Sequence, residues 1–196
     1  VKETVTVTIP EGYSVELIAK KIEEAGLVKR EEFIKAINDD YQFDFLRNTN
    51  IPKDSIYRLE GFLFPSTYEF YKDVTAHEII NTMLLEFEKQ YKKITPTYDG
   101  IFDIVTKASL IEREAKTDKD RTLIAGVIEN RLKEDMLLQI DACVIYAMSN
   151  GKYDVERVLY EHLKIDSPYN TYKNKGLPKG PIASPGEESL RAAITP

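Results

Sequence analysis

The spacing of apolar and polar positions changes several times along this 196-residue chain, and each change marks an element. Val5, Val7 and Ile9 alternate with polar neighbours and stop at Pro10, Glu11 and Gly12, the pattern of one strand and a turn. A helical stripe follows, with Ser14 as N-cap, Leu17, Ile18 and Ile22 on one face, and Gly26 as the stop. A shorter helix over 31–38 presents Phe33, Ile34 and Ile37. After a loop containing Asn48, Asn50 and Pro52, an aromatic segment bounded by Gly61 and Pro65 predicts a strand over 67–71. Strand, helix, helix, strand is a unit that buries one sheet face under two helices.

From Thr75 the period becomes helical and longer. Thr75 and Glu78 form a capping box before Ile79, Ile80, Met83, Leu84 and Phe87, predicting a helix to about Lys93. Further helices are predicted over 101–115 and 118–134, the latter carrying Leu123, Ile124, Val127, Ile128 and Leu132. The apolar run 138–148 fits strand or helix equally by period. Residues 165–183, rich in Pro, Gly, Asn and Tyr, read as a long ordered loop, the kind of segment that carries function. Ser184, Pro185 and Glu187 then suggest a final helix opened by a capping box with proline in the first position. The fold class is therefore α+β: a small βααβ unit at 1–75 followed by a mainly helical region at 76–196.

One acid interrupts an apolar stripe. At about 100° per residue, Ile101, Ile104, Val105, Ala108, Ile111 and Ala115 share a face, and Glu112 projects into it. Glu114 falls with Asp103, Thr106 and Lys107 on the opposite, polar side. Two readings of Glu112 are open from the pattern. A carboxyl deprived of water has a raised pKa and suits a general acid; alternatively Glu112 pairs with an Arg or Lys, or flanks the helix edge.

Composition narrows the chemistry. With 42% hydrophobic residues the chain can bury a core without staples, and the net charge of −6 argues against nucleic acid or an anionic bilayer as the main partner. The single Cys143 excludes an intrachain disulfide and reads as a small buried residue. No run approaches a membrane span and no signal peptide precedes Val1; the chain opens without Met inside a strand, as an excised portion of something longer would. His77 and His162 are far apart in sequence and lack a Cys partner, so neither a zinc site nor a Ser-His-Asp triad has much to build on; His77 reads as exposed in a first helical turn. The glycines between 176 and 186 alternate with prolines and cannot cradle a phosphate. No cofactor or metal is expected. What remains is a carboxylic acid, the amides of Asn130, Gln139 and Asn170, and many tyrosines, a set suited to a neutral, hydroxyl-rich ligand such as a sugar.

Six segments in one order then carry a resemblance: LEGFLFPSTYEF (59–70), ASLIERE (108–114), ENRL (129–132), LQIDACVIYA (138–147), SPYNTY (167–172) and GLPKGPIASPG (176–186). Together they resemble the YceG-like family of endolytic murein transglycosylases, and the N-terminal IPEGYSVELIAKKIEEAGLV resembles the LysM-like module that precedes that catalytic region. The sequence departs from the family pattern at Ile140, where Ser or Thr is more usual, and at Ala142 and Cys143, where Pro-Thr is. Family members also continue past the position of Pro196, so a C-terminally shortened catalytic region is expected.

The resemblance implies cleavage of the β-1,4 bond between N-acetylmuramic acid and N-acetylglucosamine, leaving a 1,6-anhydro end. It points to Glu112, the first acid of E-x-E, as the catalytic residue, and leaves Glu114 as a surface or supporting charge. One acid suffices for this chemistry, with Asp141 and Glu60 as fallback candidates for a second. Expected sugar contacts are Gln139 and Asn170 as amides, Tyr169 and Tyr172 as stacking or hydroxyl groups, and Asp141 as an orienting group. The expected partners are peptidoglycan glycan strands, with cell-wall synthases as further candidates. The expected location is the extracytoplasmic face of a bacterial membrane, anchored by an N-terminal helix outside this sequence. A non-catalytic envelope glycan binder and a lysozyme-type hydrolase are the rival readings.

Overall fold

The computed structural model describes residues 2–47 and 49–195; Asn48 of the expected loop lies outside them, as do Val1 and Pro196. Strand β1 (Thr4–Thr8) and strand β2 (Thr67–Tyr71) form an antiparallel pair in the register Thr4–Tyr71 to Thr8–Thr67. The alternation seen in sequence turns Val7, Tyr68 and Phe70 inward. Between the strands lie α1 (Val15–Glu24), α2 (Arg30–Ala36) and a single turn, α3 (Asp44–Arg47), that the sequence reading left as loop. Ser14 caps α1 as expected, its hydroxyl accepting from Leu17 N–H at 3.2 Å.

The long helices follow: α4 (Ala76–Ile94), opened by the Thr75–Glu78 capping box, α5 (Ile101–Glu114) and α6 (Asp118–Lys133), capped by Thr117. The ambiguous run resolves as helix α7 (Asp141–Ser149), and a 3₁₀ turn (Tyr160–Lys164) precedes the extended loop. Helix α8 (Glu187–Ile194) corrects the expected start. Its N-cap is Gly186 without a side-chain cap, Pro185 stands before it, and the buried Ser184 hydroxyl has no partner among the described residues.

The α+β expectation holds, with helix dominant and a two-stranded sheet. One continuous core runs from Val7, Ile18 and Ile22 through Ile79, Met83 and Phe87 to Val105, Ile111, Tyr146 and Leu190. Its centre is a cluster of Phe45, Phe62 and Phe87, with ring centroids 5.1–5.9 Å apart, which clamps α3 and the LEGF segment onto α4. Cys143 is fully buried and its thiol is pushed up to about 12 by burial, the inert cysteine that the sequence suggested. Among the described residues no helix is long and apolar enough to cross a membrane.

Candidate functional site

The last turn of α5 sends the three residues of Glu-Arg-Glu in three directions. Glu112 does enter the apolar face, its side chain only 5% exposed, but it arrives there paired. Its Oε2 accepts from Arg121 of α6 at 3.2 Å, and its Oε1 accepts the Gly186 N–H, the first free donor of α8, at 2.8 Å. Arg121 also donates to Ser189 at 3.1 Å and to Asp118. One carboxylate thus ties the ends of three helices. The Glu11 side chain lies against Gly186, its carboxylate 2.6 Å from where a Cβ would stand, so a side chain there would displace it. Burial, and then the charge of Glu112, raise the pKa of Glu11.

Arg113 turns toward the N-terminal turn, donating to Gly12 C=O at 3.1 Å, with its guanidinium 3.8 Å from the Tyr153 ring centroid. Backbone bonds between Gly12 and Ser184 (2.8 Å) and between Ser184 and Tyr13 (2.8 Å) close the same junction.

Glu114 alone of the three opens on a cleft. The cleft, about 180 Å³, is lined on one side by Ile124, Val127, Ile128 and Arg131 of α6 and on the other by Leu138, Gln139 and Ile140. Desolvation raises the pKa of the Glu114 carboxyl, the neighbouring charge of Asp141 raises it further, and a hydrogen bond from Ala142 N–H opposes both. Tyr172 donates its hydroxyl to Asp141 Oδ1, and burial followed by that bond pushes the phenol up to about 12. Gln139 is exposed and held with φ of 53°, a left-handed conformation disfavoured for a residue with a Cβ. Its N–H is anchored by Thr171 C=O at 3.1 Å, and the next N–H, of Ile140, by Thr171 Oγ1 at 2.9 Å. The SPYNTY loop and the LQID segment are thereby stitched together, which brings Tyr172, Asp141 and Gln139 to the rim around Glu114.

These positions set the sequence-predicted site residues in their surroundings. Glu112 takes the salt-bridged alternative, with the Arg121 guanidinium on one oxygen and the Gly186 N–H on the other. Asn170 is fully buried, its amide donating to Leu163 and Ile165 carbonyls at 3.0 and 2.8 Å while its oxygen accepts from Tyr172 N–H at 2.9 Å; it holds the loop and cannot also reach a ligand. Tyr169 is 3% exposed, packed at a tilt 5.0 Å from Tyr146, and lies in the core. Glu60, the fallback partner, is 2% exposed and away from the cleft lining. Gln139, Asp141 and Tyr172 remain where a ligand can meet them. His77 is half exposed, stacked 4.5 Å from Tyr41, and His162 lies on the 3₁₀ turn. Among the described residues no cluster of His, Cys, Asp and Glu could hold a metal.

The ordered motifs and the cleft they build have a counterpart among known proteins: residues 1–196 match the YceG-like family. The chain belongs to that family. It is 38% identical over 207 residues to an endolytic murein transglycosylase of Bacillus subtilis, covering 97% of this chain and 56% of that protein. It is 36% identical over 211 residues to an endolytic murein transglycosylase of Streptococcus pneumoniae, covering 96% of this chain and 38% of that protein. The crystal structure of a putative yceG-like protein from Listeria monocytogenes superposes with a TM-score of 0.82 at 34% identity, covering 97% of this chain and 66% of that one. The chain therefore spans between 38% and 56% of the length of these named relatives.

Proposed function

We propose that this chain is the catalytic part of an endolytic murein transglycosylase, acting on peptidoglycan glycan strands outside the bacterial membrane, and that Glu114 is its acid and base. The observation that carries the reading is the setting of Glu114: a carboxyl with a raised pKa on a cleft rimmed by Gln139, Asp141 and Tyr172, in a YceG-like chain. The relatives' activity supports the substrate class.

The protonated Glu114 donates to the glycosidic oxygen that leaves with N-acetylglucosamine as the bond to the muramic C1 breaks. As carboxylate it then takes the proton of the muramic C6 hydroxyl while that oxygen bonds to C1. The net change moves one proton from O6 to the leaving oxygen, so no water is consumed and no second carboxylate is required. Desolvation, and then the neighbouring charge of Asp141, favour the protonated form of Glu114 before the step. The Gln139 amide and the Tyr172 hydroxyl are hydrogen-bonding partners for sugar hydroxyl and acetamido groups, and the aliphatic wall of Ile124 and Val127 packs on apolar sugar faces. Residues 1–75 act as a LysM-like module, and a membrane anchor together with cell-wall synthases completes the setting of the whole protein.

The test is digestion of purified glycan strands with product mass determination. Fragments one water lighter than hydrolytic products, with non-reducing anhydro ends, are expected from wild type and Glu112→Asp but not from Glu114→Gln. Reducing ends would make the enzyme a hydrolase. No fragments even from a chain extended to its relatives' length would leave a glycan binder.

A further inference from the structure

Glu60 lies wholly inside the protein and takes no part in the proposed reaction. Buried Glu16 is answered by the Arg30 guanidinium at 2.6 Å and by Tyr57, whereas the donors that reach Glu60 are neutral. Val15 N–H donates to Oε2 at 2.7 Å, the Tyr146 hydroxyl donates to Oε1 at 2.8 Å, and Gly61 N–H adds a third bond. Burial pushes the Glu60 carboxyl up to about 8 and the Tyr146 phenol higher than its usual range, so at neutral pH both partners are uncharged.

The three bonds join separate parts of the molecule. Val15 is the first residue of α1, and Tyr146 belongs to α7, where its ring packs at a tilt 5.0 Å from Tyr169 and 6.0 Å from Tyr153. Gly61, at φ of 94°, presses so closely on Pro181 and on Val105 of α5 that an added Cβ would stand 2.6 Å from the first and 2.8 Å from the second. The carboxyl is therefore anchored in a segment that cannot slide against α5, and through Tyr146 it holds α7. The first turn of α7 in turn presents Asp141 and the Ala142 N–H to Glu114 at the end of that same α5.

We infer that Glu60 is a positioning residue for the cleft: through Tyr146 it fixes how α7 stands against α5, and with it the placement of Asp141 opposite Glu114. Calling that cleft catalytic rests on the transglycosylase reading; the mechanical joint does not. The charged and titratable groups that face Glu60 are Glu16 of α1, Tyr57, Tyr146, Tyr153 and Tyr169. None of these is a cation. Ionising Glu60 therefore places an uncompensated charge at the joint, which draws in water and loosens α7.

The experiment follows the carboxyl carbons of Glu60, Asp141 and Glu114 by carbon-13 NMR between pH 5 and 9.5, in wild type, Glu60→Gln and Tyr146→Phe. In wild type the Glu60 carbon is expected to titrate near 8, and the Asp141 and Glu114 carbons are expected to show a further step at that pH. The step should vanish in Glu60→Gln, whose amide keeps the shape without the charge. In Tyr146→Phe it should vanish while Glu60 still titrates, because the link is cut; this second variant decides the matter if the first does not fold. A Glu60 carbon titrating in the ordinary carboxylate range, or no step at Asp141 and Glu114, or a step that survives in Glu60→Gln, overturns the inference. With glycan strands, the fall of kcat from pH 7 to pH 9 should be about tenfold greater in wild type than in Glu60→Gln, where only deprotonation of the Glu114 acid contributes. If wild type yields no fragments at any pH the transglycosylase reading fails, and the NMR steps still decide the joint.

Discussion

Glu112 and Glu114 are two residues apart and answer opposite tests. Glu112→Gln breaks a pair that is 15% exposed on the Arg121 side and 5% on its own, leaving the guanidinium with Asp118 and Ser189. Removing one partner of a buried pair costs about 3–5 kcal/mol, and the remaining bonds of Arg121 put this case at the lower end. Glu114→Gln leaves no partner stranded and removes a carboxylate that is costly to ionise, so its stability should equal or exceed wild type. Urea denaturation of the two variants checks the contrast; equal stability losses would refute the assignment of the clamp to Glu112. A second prediction at this scale follows from Glu60. Its pKa is about 8 in the fold against an ordinary 4.5, so the fold favours the protonated form. The stabilisation is complete below about 4.5 and is lost as pH rises through about 8. Thermal midpoints of wild type should fall between pH 5 and 8, and those of Glu60→Gln should fall distinctly less.

At the scale of elements, local signals were legible in sequence wherever a side chain bonds within its own turn. Ser14, and Thr75 with Glu78, named their helix starts, and the alternation at Val5 to Ile9 named β1. Helix α8 was misread because its first N–H is satisfied from 74 positions earlier in the chain, by Glu112, and no local pattern carries such a bond. The same limit applies within Glu-Arg-Glu. A period of 100° per residue put Glu112 on the inner face correctly, but Arg121, which neutralises it, sits on the next helix. Glu114, read as a surface or supporting charge, is the exposed last residue of α5, and the Ala142 N–H that bonds it comes from the distant α7. Gln139 belongs to this scale too. Its left-handed backbone costs on the order of 1 kcal/mol and sets the turn between α6 and α7 so that the amide lines the cleft. Gln139→Gly should be at least as stable as wild type in thermal unfolding while losing glycan cleavage through a raised KM; a variant with full activity would remove Gln139 from the binding set.

The continuous core predicts that the molecule unfolds as one cooperative unit although the sequence reading divides it near residue 75. Within the first part, β1 is paired among the described residues only with β2, and Ile9 N–H bonds Ser66 C=O at 2.9 Å. The turn after β1 nevertheless belongs to the second part. Gly12 and Tyr13 exchange backbone bonds with Ser184, the Ser14 hydroxyl donates to Gly151 C=O, Arg113 reaches Gly12 C=O, and Val7, Ile18 and Ile22 share a core with Ile79, Val105 and Tyr146. Cutting there strands buried donors and acceptors on both sides, each costing about 1–3 kcal/mol, and uncovers apolar area besides. Fragments 1–75 and 76–196, produced separately, should each lack the near-ultraviolet dichroism of packed tyrosines, and mixing them should restore it together with the raised Glu60 pKa, whose donors Val15 and Tyr146 come from different fragments. A folded 76–196 fragment that cleaves glycan strands unaided would show that the cleft needs nothing from the N-terminal turn, and would reduce the contacts at Gly12 and Ser184 to simple packing.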